Sequence, residues 1–151
     1  MPINRAYLGH EFAADEPYEV SRVKIREFAE AVGDRNPCCV DQDAARAAGH
    51  ADVVAPPTFP MVFAGIGSAN SPIFDAEFGM DYSRVLHGEQ DFEYLRPIVA
   101  GDSLTVSGRI ADIRDAGDHE LVRTELDVHD GHGALVCRAV IVLLSLDSAA
   151  S

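Results

Sequence analysis

Residues 134–146 read ALVCRAVIVLLSL, apolar at every position but Arg138 and Ser145. A run of this length, rich in Val and Ile, reads as a strand buried on both faces, with neighbours on both sides. The stretches before it alternate with a period of two. ELVRTELDVHD (120–130) puts Val122, Thr124, Leu126 and Val128 on one face. DSLTVSGRIADI (102–113) does the same with Leu104, Val106, Gly108 and Ile110, and GEQDFEYLRP (88–97) with Gln90, Phe92 and Tyr94. VAGD (99–102), DAGD (115–118) and DGHG (130–133) supply turn chemistry between them. The second half of the chain is therefore an antiparallel sheet of long strands.

The first half has a different period. In YEVSRVKIREFAEAVGD (18–34), Ile25, Phe28, Ala29 and Val32 recur at i, i+3, i+4 and i+7. This is one face of an amphipathic helix, with Ser21 placed to cap its start and Gly33 just past its end. VDQDAARAAGH (40–50) reads as a short second helix begun by Asp41 and stopped by Gly49. PPTFPMVFAGIGSANSP (56–72) is apolar on every side from Met61 to Ile66, so a helix there is a buried one. The fold class is α+β: an antiparallel sheet wrapped around one buried central helix. A sheet of this kind leaves an edge, and edge pairing into a dimer is expected.

At 151 residues the chain is one domain, with a core over about 7–146 and a loose tail at 147–151. The net charge is −13, and no basic run exists. That argues against nucleic acid or an anionic membrane as partner. The three cysteines form no even framework, no secretory segment leads the chain, and the longest apolar run is too short to span a bilayer. A cytoplasmic location follows, and adjacent Cys38 and Cys39 alone make a poor metal site. Neither a metal nor a cofactor is expected.

Three segments in order carry a resemblance: YEVSRVKIREFAEAVGDRNP (18–37), GHADVVAPPTFP (49–60) and HGEQDFEYLRPIVAGDSLTV (87–106). Together they resemble the MaoC-like, hot-dog-fold (R)-specific hydratases and dehydratases. The similarity is greatest to a branch of short actinobacterial proteins that includes the non-catalytic subunit of heterodimeric (3R)-hydroxyacyl-ACP dehydratases. The resemblance implies a hot-dog fold, a pair of such domains, and reversible hydration of a trans-2-enoyl thioester carried on CoA or an acyl carrier protein. Removing a proton from C2 and hydroxide from C3 calls for a positioned acid–base pair and for donors at the thioester oxygen. Active relatives supply the pair as Asp and His in a G-D-x-N-P-x-H loop, and the donor as a glycine N–H before the buried helix.

Carried over residue by residue, Asp34 stands at the Asp position and Asn36-Pro37 at N-P, but Cys39 stands at the His position. Pro57 stands at the glycine, and proline has no N–H to donate. A free thiol, with pKa about 8.5, is a poor base at neutral pH. Cys39 is thus an inert structural residue or, against that, an atypical catalytic group. Asp34 is a remnant of the site or a turn residue bonding its own backbone. His87 and His50 either reach the site or serve structure, and His10, His119, His129 and His132 read as structural. The expected acyl-binding residues are Pro57, Thr58, Met61, Phe63, Gly65, Ile66 and His87. Gly65 and Gly67 leave room for a tunnel, or else are plain core. Arg22, Lys24, Arg26, Arg84 and Arg96 form either a patch for an acidic carrier protein or ordinary surface charge. Three function classes stand: a non-catalytic subunit paired with a catalytic MaoC-like chain, a self-sufficient homodimeric hydratase, and an acyl-thioester-binding module without turnover.

Overall fold

The computed structural model describes residues 2–65 and 70–146. Ile66 and Gly67, named above for the acyl pocket, and the 147–151 tail lie outside the described residues. Six strands form the sheet: β1 (Glu11–Ala13), β2 (Tyr18–Glu19), β3 (Val85–Tyr94), β4 (Ser103–Ala116), β5 (His119–His129) and β6 (Leu135–Ser145). Their order is β1-β4-β5-β6-β3, with β2 also on β4. The run that reads as buried on both faces is β6, and it lies between β5 and β3 as its apolarity demands.

The period-two faces hold through most of their length. Val122, Thr124, Leu126 and Val128 are all buried on β5, as are Leu104, Val106 and Ile110 on β4. A bulge between Ile110 and Asp112 shifts the alternation, so that Ile113 is the next buried residue. A second bulge falls between His87 and Glu89 on β3.

Helix α1 (Arg22–Val32) starts where Ser21 Oγ accepts the Lys24 N–H, and ends at Gly33 in the left-handed region (φ 74°). Ile25 and Ala29 are fully buried and Phe28 half-buried. Val32, expected on the same face, is 51% exposed in the last turn. Helix α2 (Gln42–Ala47) begins on the Asp41 side chain.

The central segment is helical where it is described. Its described part is a 3-10 helix, Phe59–Val62, followed by a turn to Gly65. Pro60 suits a helix start, but the chain tightens at Gly65, where a Cβ would stand 2.7 Å from the Met61 carbonyl oxygen. Phe59 is fully buried under the sheet, so this segment still fills the centre. Its ring meets Phe28 edge-on at 5.6 Å and lies near Tyr18 (6.3 Å) and Phe63 (6.1 Å). That cluster joins α1, β2 and the central segment into one core.

Candidate functional site

The loop after α1 is built from local caps. Asp34 Oδ1 accepts the Asn36 N–H at 2.9 Å, and Asn36 Oδ1 accepts the Cys38 N–H at 3.0 Å. Asn36 thereby starts the 3-10 helix Pro37–Cys39, which turns Cys39 inward to 2% exposure. The Cys39 thiol points back at Asp34 Oδ2 from 4.0 Å, a weak contact. Asp34, Asn36 and Cys39 are therefore gathered in one place. Burial, with the nearby Asp34 charge adding to it, pushes the Cys39 thiol up to about 11. At pH 7 only about 1 in 10⁴ such thiols is ionised. This group is neither a base nor a ready nucleophile.

A strap, residues 53–57, runs from the loop to the sheet and is fixed at each end. Arg22 grips Asp52 through two hydrogen bonds (3.0 and 2.7 Å), and Asp52 Oδ1 accepts the Val53 N–H. The Val54 N–H donates to Cys38 O at 2.9 Å, which ties the strap to the loop. The Ala55 N–H donates to Ile98 O and the Ala100 N–H to Val53 O, pinning the strap to the turn before β4. Arg96 sets that turn with a two-pronged contact to Asp102 (2.8 and 3.0 Å), and Asp102 also accepts the Val99 N–H. At the far end the Tyr94 hydroxyl donates to Pro57 O at 2.6 Å. Burial beside Cys137 pushes the Tyr94 hydroxyl well above its ordinary range, so it stays a donor.

The expected acyl-binding residues separate into groups. Pro57 and Thr58 are exposed at the strap's end, Met61 and Phe63 half-buried, and Gly65 buried. Phe63 stacks on Tyr18 at 4.7 Å, which keeps one apolar surface near the strap. The space beside Gly65 is about 10 Å³, lined by Phe12, Ser71, Ile73, Thr124 and Leu126 among others. That holds about one water and no acyl chain. His87 is exposed at the start of β3, seven residues from Tyr94, or roughly 23 Å by strand rise. The structure does not bring it to the loop. His50 is half-buried after α2, its N–H closing on Ala45 O.

The basic patch also changes character. Arg22 is engaged by Asp52, Lys24 by Glu27, and Arg96 by Asp102 and Asp130. A concavity of about 900 Å³ lies across the outer sheet face and contains none of the expected site residues. Sequence reasoning missed Tyr94 and the Arg96–Asp102 clamp as positioning groups. Their signal was present: Tyr94 on the inward side of its strand, and Arg96 six residues before an Asp that ends a turn. Among the described residues no cluster of His, Cys, Asp or Glu is placed to hold a metal, and no helix is long and apolar enough to cross a membrane.

Residues 6–139 match the family described as FAS1-like, dehydratase domain region. A UPF0336 protein of Streptomyces griseus subsp. griseus is 46% identical over 145 residues, 96% of both chains. A solved MaoC-like dehydratase superposes with a TM-score of 0.82 at 32% identity, over 95% of this chain and 43% of its own. The chain thus spans less than half the length of that protein. A chain of the HadBC (3R-hydroxyacyl-ACP dehydratase) complex from Mycobacterium tuberculosis gives a TM-score of 0.79 at 26% identity, covering 91% of this chain and 96% of that one. The antiparallel sheet over a buried helical turn is the hot-dog fold of these dehydratases.

Proposed function

Since the chain belongs to the family of FAS1-like dehydratase domain regions, we propose that it is the acyl-binding, non-catalytic half of a (3R)-hydroxyacyl thioester dehydratase of fatty-acyl elongation. A second MaoC-like subunit supplies the working Asp–His loop. This chain supplies a sheet edge and an acyl-contacting surface, and the pair works in the cytoplasm on acyl-ACP or acyl-CoA.

One observation carries the reading. The loop that keeps Asp34 and Asn36 in place presents a buried, neutral thiol at Cys39 where the reaction wants an imidazole. A second feature agrees with it: Pro57 has no N–H, and its carbonyl is held by Tyr94. Losing an acid–base group costs about 10²–10⁴-fold and an oxyanion donor about 10²–10³-fold. Together these leave no useful turnover from this chain's own loop. The scaffold that once aimed the loop remains: Asp34 caps, and the strap is tied at both ends. In a subunit without chemistry such a scaffold still shapes the wall against which the thioester lies. Met61 and Phe63, with Thr58 beside them, are the apolar surface offered to the acyl chain, and Gly65 lets the segment turn there. HadBC is a complex of two chains, and by likeness the same arrangement is assigned here.

The test is hydration of a trans-2-enoyl-CoA, followed by loss of the conjugated thioester's ultraviolet absorbance. The pure chain is expected to be inactive. A complex with a MaoC-like chain bearing an intact D-x-N-P-x-H loop is expected to be active, and to remain so with Cys39→Ala here. Activity of the pure chain abolished by Asp34→Ala would establish the self-sufficient hydratase instead. Acyl-thioester binding with no turnover in any complex would leave a binding module.

A further inference from the structure

Strand β3 is the long open edge of the sheet. It pairs with β6 on one side, and no described strand pairs with its other side across ten residues. The opposite edge consists of β1 and β2, three and two residues long. Short edges are protected by their brevity, whereas a ten-residue edge invites another strand. Leu86 on this edge is 55% exposed.

The side chains of β3 say which strand it accepts. Beyond the bulge, Glu89, Asp91 and Glu93 occupy every second position and all are exposed on the outer face. Their neighbours on β6 are Val142, Val140 and Arg138. Arg138 already contacts Asp127 (3.4 Å), and Arg109 and Arg123 of the same face both contact Glu125 (2.6 and 3.3 Å). Among the described residues none of the three β3 acids is in an ion pair. The inner face gives a second, independent sign. Gln90, between Glu89 and Asp91, has its amide oxygen and nitrogen buried with no hydrogen-bond partner in the described chain. A buried donor and acceptor are met by polar groups beyond the described residues, a facing subunit or water among them.

A second copy of this chain fits badly. A two-fold that keeps both cores on one side of a continuous sheet pairs residues of equal parity. Centred on Asp91, it sets Asp91 against itself and Glu89 against Glu93 twice. Centred on Gln90 or Phe92, it opposes two pairs of these acids, and centred on Glu89 or Glu93 it sets that one carboxylate against its own copy. Like charges directly opposite one another destabilise a strand pair. We propose that the row Glu89–Asp91–Glu93 makes β3 a hetero-pairing edge, selecting a second hot-dog subunit whose facing strand carries Lys or Arg outward, and rejecting a second copy of this chain. This deepens the reading of a two-chain dehydratase and rests on it for the nature of the partner.

The experiment uses differently tagged forms of the whole chain, wild type and Glu89→Lys/Asp91→Lys/Glu93→Lys, alone and mixed, in analytical ultracentrifugation at low and high salt. Three opposed pairs imply a self-association weaker than the mixed one by on the order of ten- to a hundredfold. The gap should shrink with salt as screening sets in. A control with three reversals off the sheet, Glu16→Lys/Glu30→Lys/Glu77→Lys, keeps the net charge of the variant. The mixed pair is expected to outcompete both homodimers, and the control to pair with wild type no better than wild type does with itself. A wild-type homodimer as tight at low salt as the mixed pair, or a control that pairs equally well, would overturn the proposal. Matching circular-dichroism melts of the variants establish that they fold. The readout is association alone, so it is independent of the hydration assay. Charge-selective pairing beside a catalytic MaoC-like chain that gives no turnover would sink the dehydratase reading and leave this one standing, and a loss of charge selection would do the reverse.

Discussion

Replacing Phe59 by Ala is the sharpest probe of how the site is held. Phe59 is fully buried and contacts rings from three elements: Phe28 on α1, Tyr18 on β2, and Phe63 beyond its own 3-10 turn. Truncating a buried Phe in a close-packed core costs about 3–5 kcal/mol. That is about a fifth or more of the total for a domain whose stability is about 5–15 kcal/mol. At about 2–4 °C per kcal/mol for a chain of this size, the melting temperature should fall by about 6–20 °C. Phe59→Leu keeps most of the apolar volume and loses the ring contacts, so it should cost only about 1–2 kcal/mol. Urea unfolding of the three proteins gives the ordering. Native-state hydrogen exchange then locates the loss: the amides of Ala55 and Phe59, bonded to Ile98 O and Pro56 O, should open before those of β6. A cost below about 1 kcal/mol for Phe59→Ala would refute the claim that this cluster joins the central turn to α1 and the sheet.

Thiol labelling of the native protein should modify Cys38 quickly and leave the other two slow, since Cys39 and Cys137 are buried with their thiols pushed up to about 11. Denaturation should then release all three; a fast second thiol in the folded state would contradict the inert reading of Cys39. The Arg22 contact, with the Val53 N–H, holds the Asp52 carboxyl at about 2, below its unfolded value of about 3.9. Its contribution to stability is therefore complete above about pH 4 and lost as pH falls through about 2, so melting curves of wild type and Arg22→Gln should differ at pH 7 and converge in acid. Arg96→Met leaves Asp102 without its fork and should cost about 1.5–3 kcal/mol in urea unfolding. Arg96→Lys should recover only part of that, because a single ammonium cannot reproduce the two-pronged contact. Tyr94→Phe should leave global stability within about 1.5 kcal/mol while raising exchange at Ala55, because the lost bond anchors only the strap's end.

Local chemistry was written plainly in the chain. The buried run 134–146, the period-two faces before it, and the caps Ser21, Gly33 and Asp41 each depend on residues near in sequence, and all appear where that chemistry puts them. The resemblance in 18–37, 49–60 and 87–106 named the hot-dog fold, and it picked out Asp34, Asn36 and Cys39, which the structure gathers in one loop. The 3-10 form of the described central segment, Phe59–Val62, was not legible there. Nor was the bulge after Ile110, which the partner strand defines.

What the sequence determined by itself is the class of fold and which residues stand in the loop, because periodicity and residue identity are properties of the chain alone. Only the tertiary structure decided that Cys39 is buried and neutral, that Tyr94 and Arg96 hold the strap, and that His87 lies far along its strand. Only it left the acids of β3 on an open edge. Burial, strand order and long-range hydrogen bonds join residues tens of positions apart, and no local pattern encodes which of them will meet.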